Sequence, residues 1–473
     1  MKDDNNDCWP DMEDIYGSEY YPSDEEGNEI LAKKDRKLME KIKEEEKKKK
    51  EEKKQVPIVS DGDVKEESIK EEKKEYYTAK GGKKEKKDNF DNKGDKDLNN
   101  PYDYKRIIVN EEGHSFKCFF GEEILYWYDK TIGKHVINGE SRVKKMVQNH
   151  SNTEFRGARK NHVSETVELI KREFLTEKPN EEALKYILLV GNGIITTKDK
   201  DGKIKFVPGF NSNYFIMSGI PWNYNSGTKC PKIRRFLIEL VVDIEKCDLY
   251  PDTNELWNNL TGEEKNKVLT LVEFIGYCLL RSCDLKKFLI LKGGKDSGKS
   301  KYTDLVEKFL GYESCSGISL QEMRHEYNVA EIYGKMANIR GELSDKNLED
   351  TSIIKLFVNG DPITGRVIRA RPIRFRPFAK LIYATNIIPA TSSTEDESFF
   401  GKIVIIDCPN TFKRDDTFFN RISTKDEMEG LLNWALNMLG TLMENMRFSY
   451  EPDWEEVARR FPRYTKGARY DVD

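Results

Sequence analysis

The sequence is poor in the features that would send a chain across a membrane or out of the cell. Its longest apolar stretches, Leu269 to Leu280 and Phe236 to Ile244, are each interrupted by an acid and fall well short of the ~20 residues a spanning helix needs. The N-terminus carries Asp3, Asp4 and Asp7 where a secretory signal has basic residues followed by an apolar core. The chain is therefore expected to stay inside the cell that makes it, in cytoplasm or nucleus, with no membrane partner. Cysteine and histidine are sparse and scattered. The eight cysteines contain no CxxC pair, and the five histidines, His114, His135, His150, His162 and His325, show no metal-ligand spacing. Neither a disulfide framework nor a zinc site is expected. Net charge is also small: 80 Lys and Arg face 84 Asp and Glu, leaving -4. A uniformly basic coat is excluded, and any nucleic-acid surface must be a local patch.

Charge itself is abundant, at 35% of residues against 37% hydrophobic. That balance is too polar for one continuous globule. The excess lies at the front, where Lys33 to Lys54 is almost entirely Lys and Glu, and Gly81 to Asn100 holds only Phe90 and Leu98 as apolar residues. Residues 1–100 are predicted to be a disordered charged tail, because such segments bury too little to offset their ordering entropy. Trp9, Tyr16, Tyr20 and Tyr21 in its acidic beginning would suit a docking segment for a partner protein.

Apolar periodicity returns at Tyr102. A strand is expected at Ile124 to Tyr128, a helix at Ser164 to Phe174, a hairpin strand at Gly202 to Val207, and helices at Lys232 to Val242 and Glu263 to Leu280. Residues 101–285 thus read as an α+β and helical region. The apolar run Phe288-Leu289-Ile290-Leu291 then leads into Gly293-Gly294-Lys295-Asp296-Ser297-Gly298-Lys299-Ser300 and the helical pattern Tyr302 to Leu310. This is the GxxxxGK[ST] pattern in its strand, loop, helix context. Glycines let backbone N–H groups close around phosphates at a helix N-terminus, while Lys299 reaches the β- and γ-phosphates and Ser300 holds Mg²⁺.

Such a loop needs an acid on a neighbouring strand to hold the ion and orient the attacking water. The strand Met336 to Arg340 runs into Gly341-Glu342, which makes Glu342 the candidate, with Asp345 second. A third strand, Leu381 to Thr385, ends in Asn386, whose amide suits a γ-phosphate contact. Between these lie Arg366, Arg369, Arg371, Arg374, Arg376 and Lys380, with no acid from Pro362 to Thr385. A turn at Ala370-Arg371-Pro372 would make this a hairpin, and the uncompensated arginines suit a phosphate-backbone tracker.

The phrases "FLILKGGKDSGKS", "YGKMANIRGELSDKNLEDTSIIKLFVNGDPIT", "RPFAKLIYATNIIP" and "EGLLNWALNML" together resemble the superfamily 3 helicase domain of phage, plasmid and poxvirus-type primase-helicases. "IPWNYNSGTKCPKIRRFL" is similar to the region that precedes that domain. The resemblance implies an α/β fold: an AAA+-like P-loop ATPase with a parallel central sheet over residues 286–415, followed by a C-terminal helical extension at 416–473. It further implies ATP and Mg²⁺ as cofactors and assembly into a homo-hexamer around single-stranded or forked DNA. The activity implied is that of an ATP-dependent helicase in virus or plasmid replication, with a replication partner for the tail. The alternative is a DNA-binding ring that hydrolyses ATP weakly or not at all. Carried over, the phosphate-loop roles fall on Lys299 and Ser300, the acidic role on Glu342 and the sensor role on Asn386. Where the family places an arginine finger, this chain has Phe399-Phe400-Gly401-Lys402, so Lys402 would supply charge without the bidentate fork. No primase is expected, since the one obvious Asp-x-Asp, Asp61 to Asp63, lies in the tail.

Overall fold

The computed structural model describes residues 100–463, apart from 123, 152–159, 180, 197–203, 344–347, 349–350, 367–371 and 392–395. The tail expected at residues 1–100, but for Asn100, and the docking segment expected at its start, together with Asp345, Arg369 and Arg371, lie outside the described residues.

The first sheet is a meander of β1 (Phe116–Phe119), β2 (Leu125–Asp129) and β3 (Lys134–Val136), with the short β4 (Leu175–Thr176) parallel to β1. Strand alternation divides its side chains. Phe116, Leu125 and Trp127 meet Val143, Val147, Val167 and Ile170 from the helices Gly139–Ser151 and Lys160–Glu173. Phe119 and Tyr126 point the other way, against Phe215. A second sheet of β5 (Ile187–Val190), β6 (Gly193–Thr196) and β7 (Lys205–Pro208) is wholly antiparallel.

The central sheet is parallel and five-stranded. It contains β8 (Phe288–Gly293), β9 (Cys315–Ser316) and β10 (Ala337–Arg340); after the separate hairpin of β11 (Ile363–Gly365) and β12 (Ile373–Phe375), it adds β13 (Lys380–Thr385) and β14 (Ile403–Cys408). The order is β14-β8-β13-β10-β9. Both faces are covered, so β8, β13 and β14 read as near-continuous apolar runs rather than alternating ones. Phe288, Ile290, Leu381, Tyr383, Ile403 and Ile405 form one layer with Ile354 and Phe357 of the helix Ser352–Asn359 and with Phe399, Phe400 and Val457. The intervening residues face the other side, and the helices Lys299–Leu310 and Pro231–Val241, absent from the first layer, pack on β8, β13 and β14.

The helices expected at Lys232 to Val242 and Glu263 to Leu280 run Pro231–Val241 and Gly262–Cys278. Each starts one residue early for a local reason. Pro231 takes the first helical position, where its missing N–H costs nothing. Thr261 forms a reciprocal cap, accepting from Glu264 N while Glu264 accepts from Thr261 N. Gly262–Cys278 packs against Lys425–Asn445 from the C-terminal end of the chain. At their closest approach a Cβ on Gly276 would lie 2.5 Å from the Ala435 carbonyl oxygen, so the crossing requires glycine. Phe274 stacks on Phe448 with centroids 4.3 Å apart, and Tyr302 donates to Leu271 O at 2.8 Å. The helix after the glycine-rich loop is thereby fastened to this pair. No helix among the described residues is long and apolar enough to cross a membrane.

Candidate functional site

Strand register brings the glycine-rich loop, Glu342 and Asn386 to one edge. Ile290 of β8 is level with Tyr383 of β13, and Tyr383 with Arg340 of β10. Gly293 and Asn386 lie three residues beyond that level and Glu342 two, so all three sit at the carboxyl ends of neighbouring strands. Leu343 N donates to Ala384 O at 2.8 Å, which holds the end of β10 against β13.

The glycine-rich loop follows β8 and closes on the helix Lys299–Leu310. Two of its residues are left-handed, Asp296 at φ 58° and Gly298 at φ 85°. Such reversals of hand turn successive N–H groups toward a common point, the geometry of an anion nest. A Cβ on Gly293 would stand 2.6 Å from both Cys408 O and Ser297 Oγ, whereas one on Gly294 would meet nothing within 4 Å. The loop is therefore packed on its inner side and open on its outer side. Ser300 is exposed on the first turn of the helix, whose leading N–H groups have no partner within the helix.

Lys299 is buried and folds back onto the loop, donating to Gly293 O at 2.8 Å, Gly294 O at 2.6 Å and Ser297 Oγ at 2.8 Å. Burial lowers its pKa, against the opposing pull of Cys408, Asp296 and Glu342. Glu342, itself exposed, is thus within electrostatic reach of Lys299. The donor set fits a phosphate chain with its cation: a nested loop, a helix N-terminus, an ammonium already surrounded by acceptors, a hydroxyl and a carboxylate. Asn386 is exposed at the same edge.

Lys402 lies elsewhere. It precedes β14, whose first residue Ile403 is level with Phe288, and so sits at the amino edge, a strand length of roughly 20 Å from the loop. Its Nζ donates to Asn359 Oδ1 at 2.7 Å, and burial followed by Lys286 and Lys287 lowers its pKa. The hairpin is also at the amino edge, since β12 leads directly into the start of β13. Ile373 and Phe375 are buried while Arg374 and Arg376 are exposed, as strand alternation requires.

Two expectations for the basic segment need correction. Arg366 is compensated, because Glu326, on a helix distant in sequence, places Oε2 2.5 Å from its Nε. Lys380 is not on the hairpin surface at all. It is 2% exposed, with Nζ donating to Leu280 O and Phe378 O. Acids absent from the local sequence arrive through the fold, and the alternation ends where the hairpin enters the sheet.

Sequence reading missed what braces the loop. Phe412 N donates to Asp296 O at 2.9 Å, and the Phe412 ring would lie 3.1 Å from a Cβ on Gly298. Asn410, buried just before it, donates to Glu239 O and Val242 O, both at 2.6 Å, and accepts from Ile244 N at 2.9 Å. No motif marks these residues, because their partners come from segments far away in the chain.

Residues 93–242 match the family described as D5 N terminal like, and residues 291–398 match a family of unknown function, DUF5906. The first contains the IPWNYNSGTKCPKIRRFL segment; the second runs from the end of β8 through Glu342, the hairpin and Asn386. A protein of Acanthamoeba polyphaga mimivirus, provisionally named a helicase, is 24% identical over 236 residues, which is 46% of this chain and 23% of that protein. The chain thus spans under a quarter of that relative's length. Among solved structures, the C-terminal region of NrS-1 aligns at a TM-score of 0.42 and 11% identity, covering 76% of this chain and 71% of that one. A second apo structure of the same region aligns at 0.43 and 12% identity over 73% and 72%.

Proposed function

We propose that the chain is a primase-helicase-like protein and, more specifically, an ATP-driven motor on single-stranded DNA built on a superfamily 3, AAA+-like P-loop ATPase. The main support is the gathering of the nested loop, Lys299, Glu342 and Asn386 at one carboxyl edge of a parallel sheet, where open α/β sheets bind their ligands. The D5 N terminal like match and the helicase name of the mimivirus relative support the coarser reading.

Bound ATP with Mg²⁺ would supply the phosphoryl transfer whose free energy drives movement. Gly293 through Gly298 and the helix N-terminus would hold the phosphates through backbone N–H groups. Lys299 would exchange its loop acceptors for phosphate oxygens, and Ser300 and Glu342 would hold the ion. Glu342 would also orient water, and Asn386 would donate its amide hydrogen to the terminal phosphate or that water. Lys402, at the opposite edge from its own loop, would act only on a neighbour's nucleotide in a ring such as a hexamer. Arg374 and Arg376, with Arg369 and Arg371, would meet the phosphates of DNA.

A second reading, a ring that binds DNA and hydrolyses ATP weakly, draws support from the hydrogen bond of Lys402 to Asn359 and from its lack of a fork. Steady-state ATP hydrolysis with and without single-stranded DNA, on the parent and on Lys299→Ala, separates the two. DNA-stimulated turnover lost in Lys299→Ala supports the motor; ATP and DNA binding without turnover supports the ring. DNA-independent transfer to a small acceptor rejects both.

A further inference from the structure

At the amino edge, away from the glycine-rich loop, the chain forms a cavity of about 460 Å³, within the size range of small-molecule sites. It lies between the segment after β4, the turn that follows the helix Gly262–Cys278, and the residues joining β12 to β13. Its charged lining is Lys178, Lys185, Arg281 and Arg376 against Glu181 and Asp284. The two lysines are engaged: Lys185 Nζ is 2.6 Å from Asp284, and Lys178 Nζ is 2.8 Å from Glu122. Arg376 donates to the Gly360 carbonyl at 3.2 Å, and Arg281 feels the longer-range attraction of Glu181. Among the described residues, neither guanidinium has a carboxylate within ion-pair distance.

Two further features point to a ligand. Arg281 Nη1 and Ser282 Oγ, adjacent in sequence on residues that line the cavity, are both buried and have no hydrogen-bond partner among the described residues. Orphaned donors are rare because they are costly, and these two lack an acceptor among the described residues. The walls are aromatic as well as cationic. The Arg281 guanidinium lies 4.9 Å from the centroid of Phe378, and Tyr333 and Phe375, 5.1 Å apart, line the same space. Guanidinium and hydroxyl donors lining one cavity match a phosphate, and aromatic walls match a base.

We propose that this cavity binds one nucleotide unit, its phosphate on Arg281, Ser282 and Arg376 and its base against Tyr333, Phe375 and Phe378. The unit is either a free nucleotide or one residue of a strand led in by Arg374 and Arg376. The strand alternative rests on the function proposed above; the free-nucleotide alternative does not.

The test titrates the full chain with fluorescent oligo-dT and, separately, with dTMP by calorimetry. The variants are Arg281→Gln and the milder Ser282→Ala, and the thermal unfolding midpoint serves as the folding control. We expect Arg281→Gln to weaken oligo-dT binding about tenfold or more, and Ser282→Ala less, at an unchanged unfolding midpoint. If dTMP binds and competes with oligo-dT, the ligand is a free nucleotide as well as a strand unit. If only oligo-dT binds, it is the strand unit alone. Unchanged affinities for both probes in both variants, or no binding of either probe by the parent, overturns the proposal. Loss of oligo-dT binding in an Arg374, Arg376 double variant but not in Arg281→Gln overturns it as well, while leaving the motor reading intact.

Discussion

Replacing the buried Lys380 by Met should change how stability depends on pH more than stability itself. Lys380 begins β13, the strand that leads to Asn386, and its ammonium reaches the Leu280 and Phe378 carbonyls and lies 4.5 Å from the centroid of Tyr277. Burial lowers its pKa from 10.5 to about 8. Below about 8 the lysine is charged in folded and unfolded chains alike, and the full penalty of burying that charge is present. Between about 8 and 10.5 the unfolded chain binds a proton that the folded chain has released, so stability rises with pH. A drop of about 2.5 units at ~1.36 kcal/mol each amounts to roughly 3 kcal/mol, of which roughly 2 is recovered between pH 7 and 9.5. Methionine keeps most of the stem against Tyr277 and removes the penalty, but leaves two carbonyls without their donor at about 1 kcal/mol or more each. The two changes nearly cancel at pH 7. Urea unfolding of parent and Lys380→Met at pH 7, 8, 9 and 9.5 should therefore show the parent gaining roughly 2 kcal/mol relative to the variant across the series. Parallel pH profiles would refute the claim that a buried charge anchors this strand.

The helix pair offers a test in which the sign reverses. Gly440→Ala, with open space around it, should stabilise by about 0.5–1 kcal/mol, whereas Gly276→Ala, set on the Ala435 carbonyl, should destabilise by about 1–2 kcal/mol after its helix-propensity gain; equal signs in thermal melts would contradict the crossing. Replacing Arg374 and Arg376 together should weaken single-strand binding for every sequence and make the salt slope shallower by ~0.7 per lost contact; an unchanged slope removes the hairpin from DNA binding. Mixing Lys402→Ala chains with Lys299→Ala chains should restore some ATP turnover, because a mixed interface can pair an intact loop with an intact Lys402. If Lys402→Ala alone turns over ATP like the parent, Lys402 does not act on a neighbour's nucleotide. Glu342→Gln should keep ATP bound while losing turnover, read by equilibrium nucleotide binding beside steady-state hydrolysis; hydrolysis at the parental rate shifts the acidic role to Asp345.

Local chemistry determined much that could be read directly. The glycine-rich loop between an apolar run and a helical pattern, the Pro231 and Thr261 helix starts, and the alternation of Ile373 and Phe375 with Arg374 and Arg376 all follow from interactions a few residues apart. Short-range sterics, capping and strand periodicity do not need the rest of the chain.

Only the tertiary structure decided which segments meet. Strand order set β13 between β8 and β10, which brings Asn386 and Glu342 to the loop and leaves Lys402 at the far edge. It paired Glu326 with Arg366, placed Ala435 on Gly276, and drew Asn410 and Phe412 under the loop. Lys380 shows the reason most plainly. In sequence it is the last cation of a basic run, yet its surroundings come from Leu280 and Tyr277, a hundred residues earlier in the chain. Burial and long-range partners depend on how distant segments pack, and no local pattern encodes them.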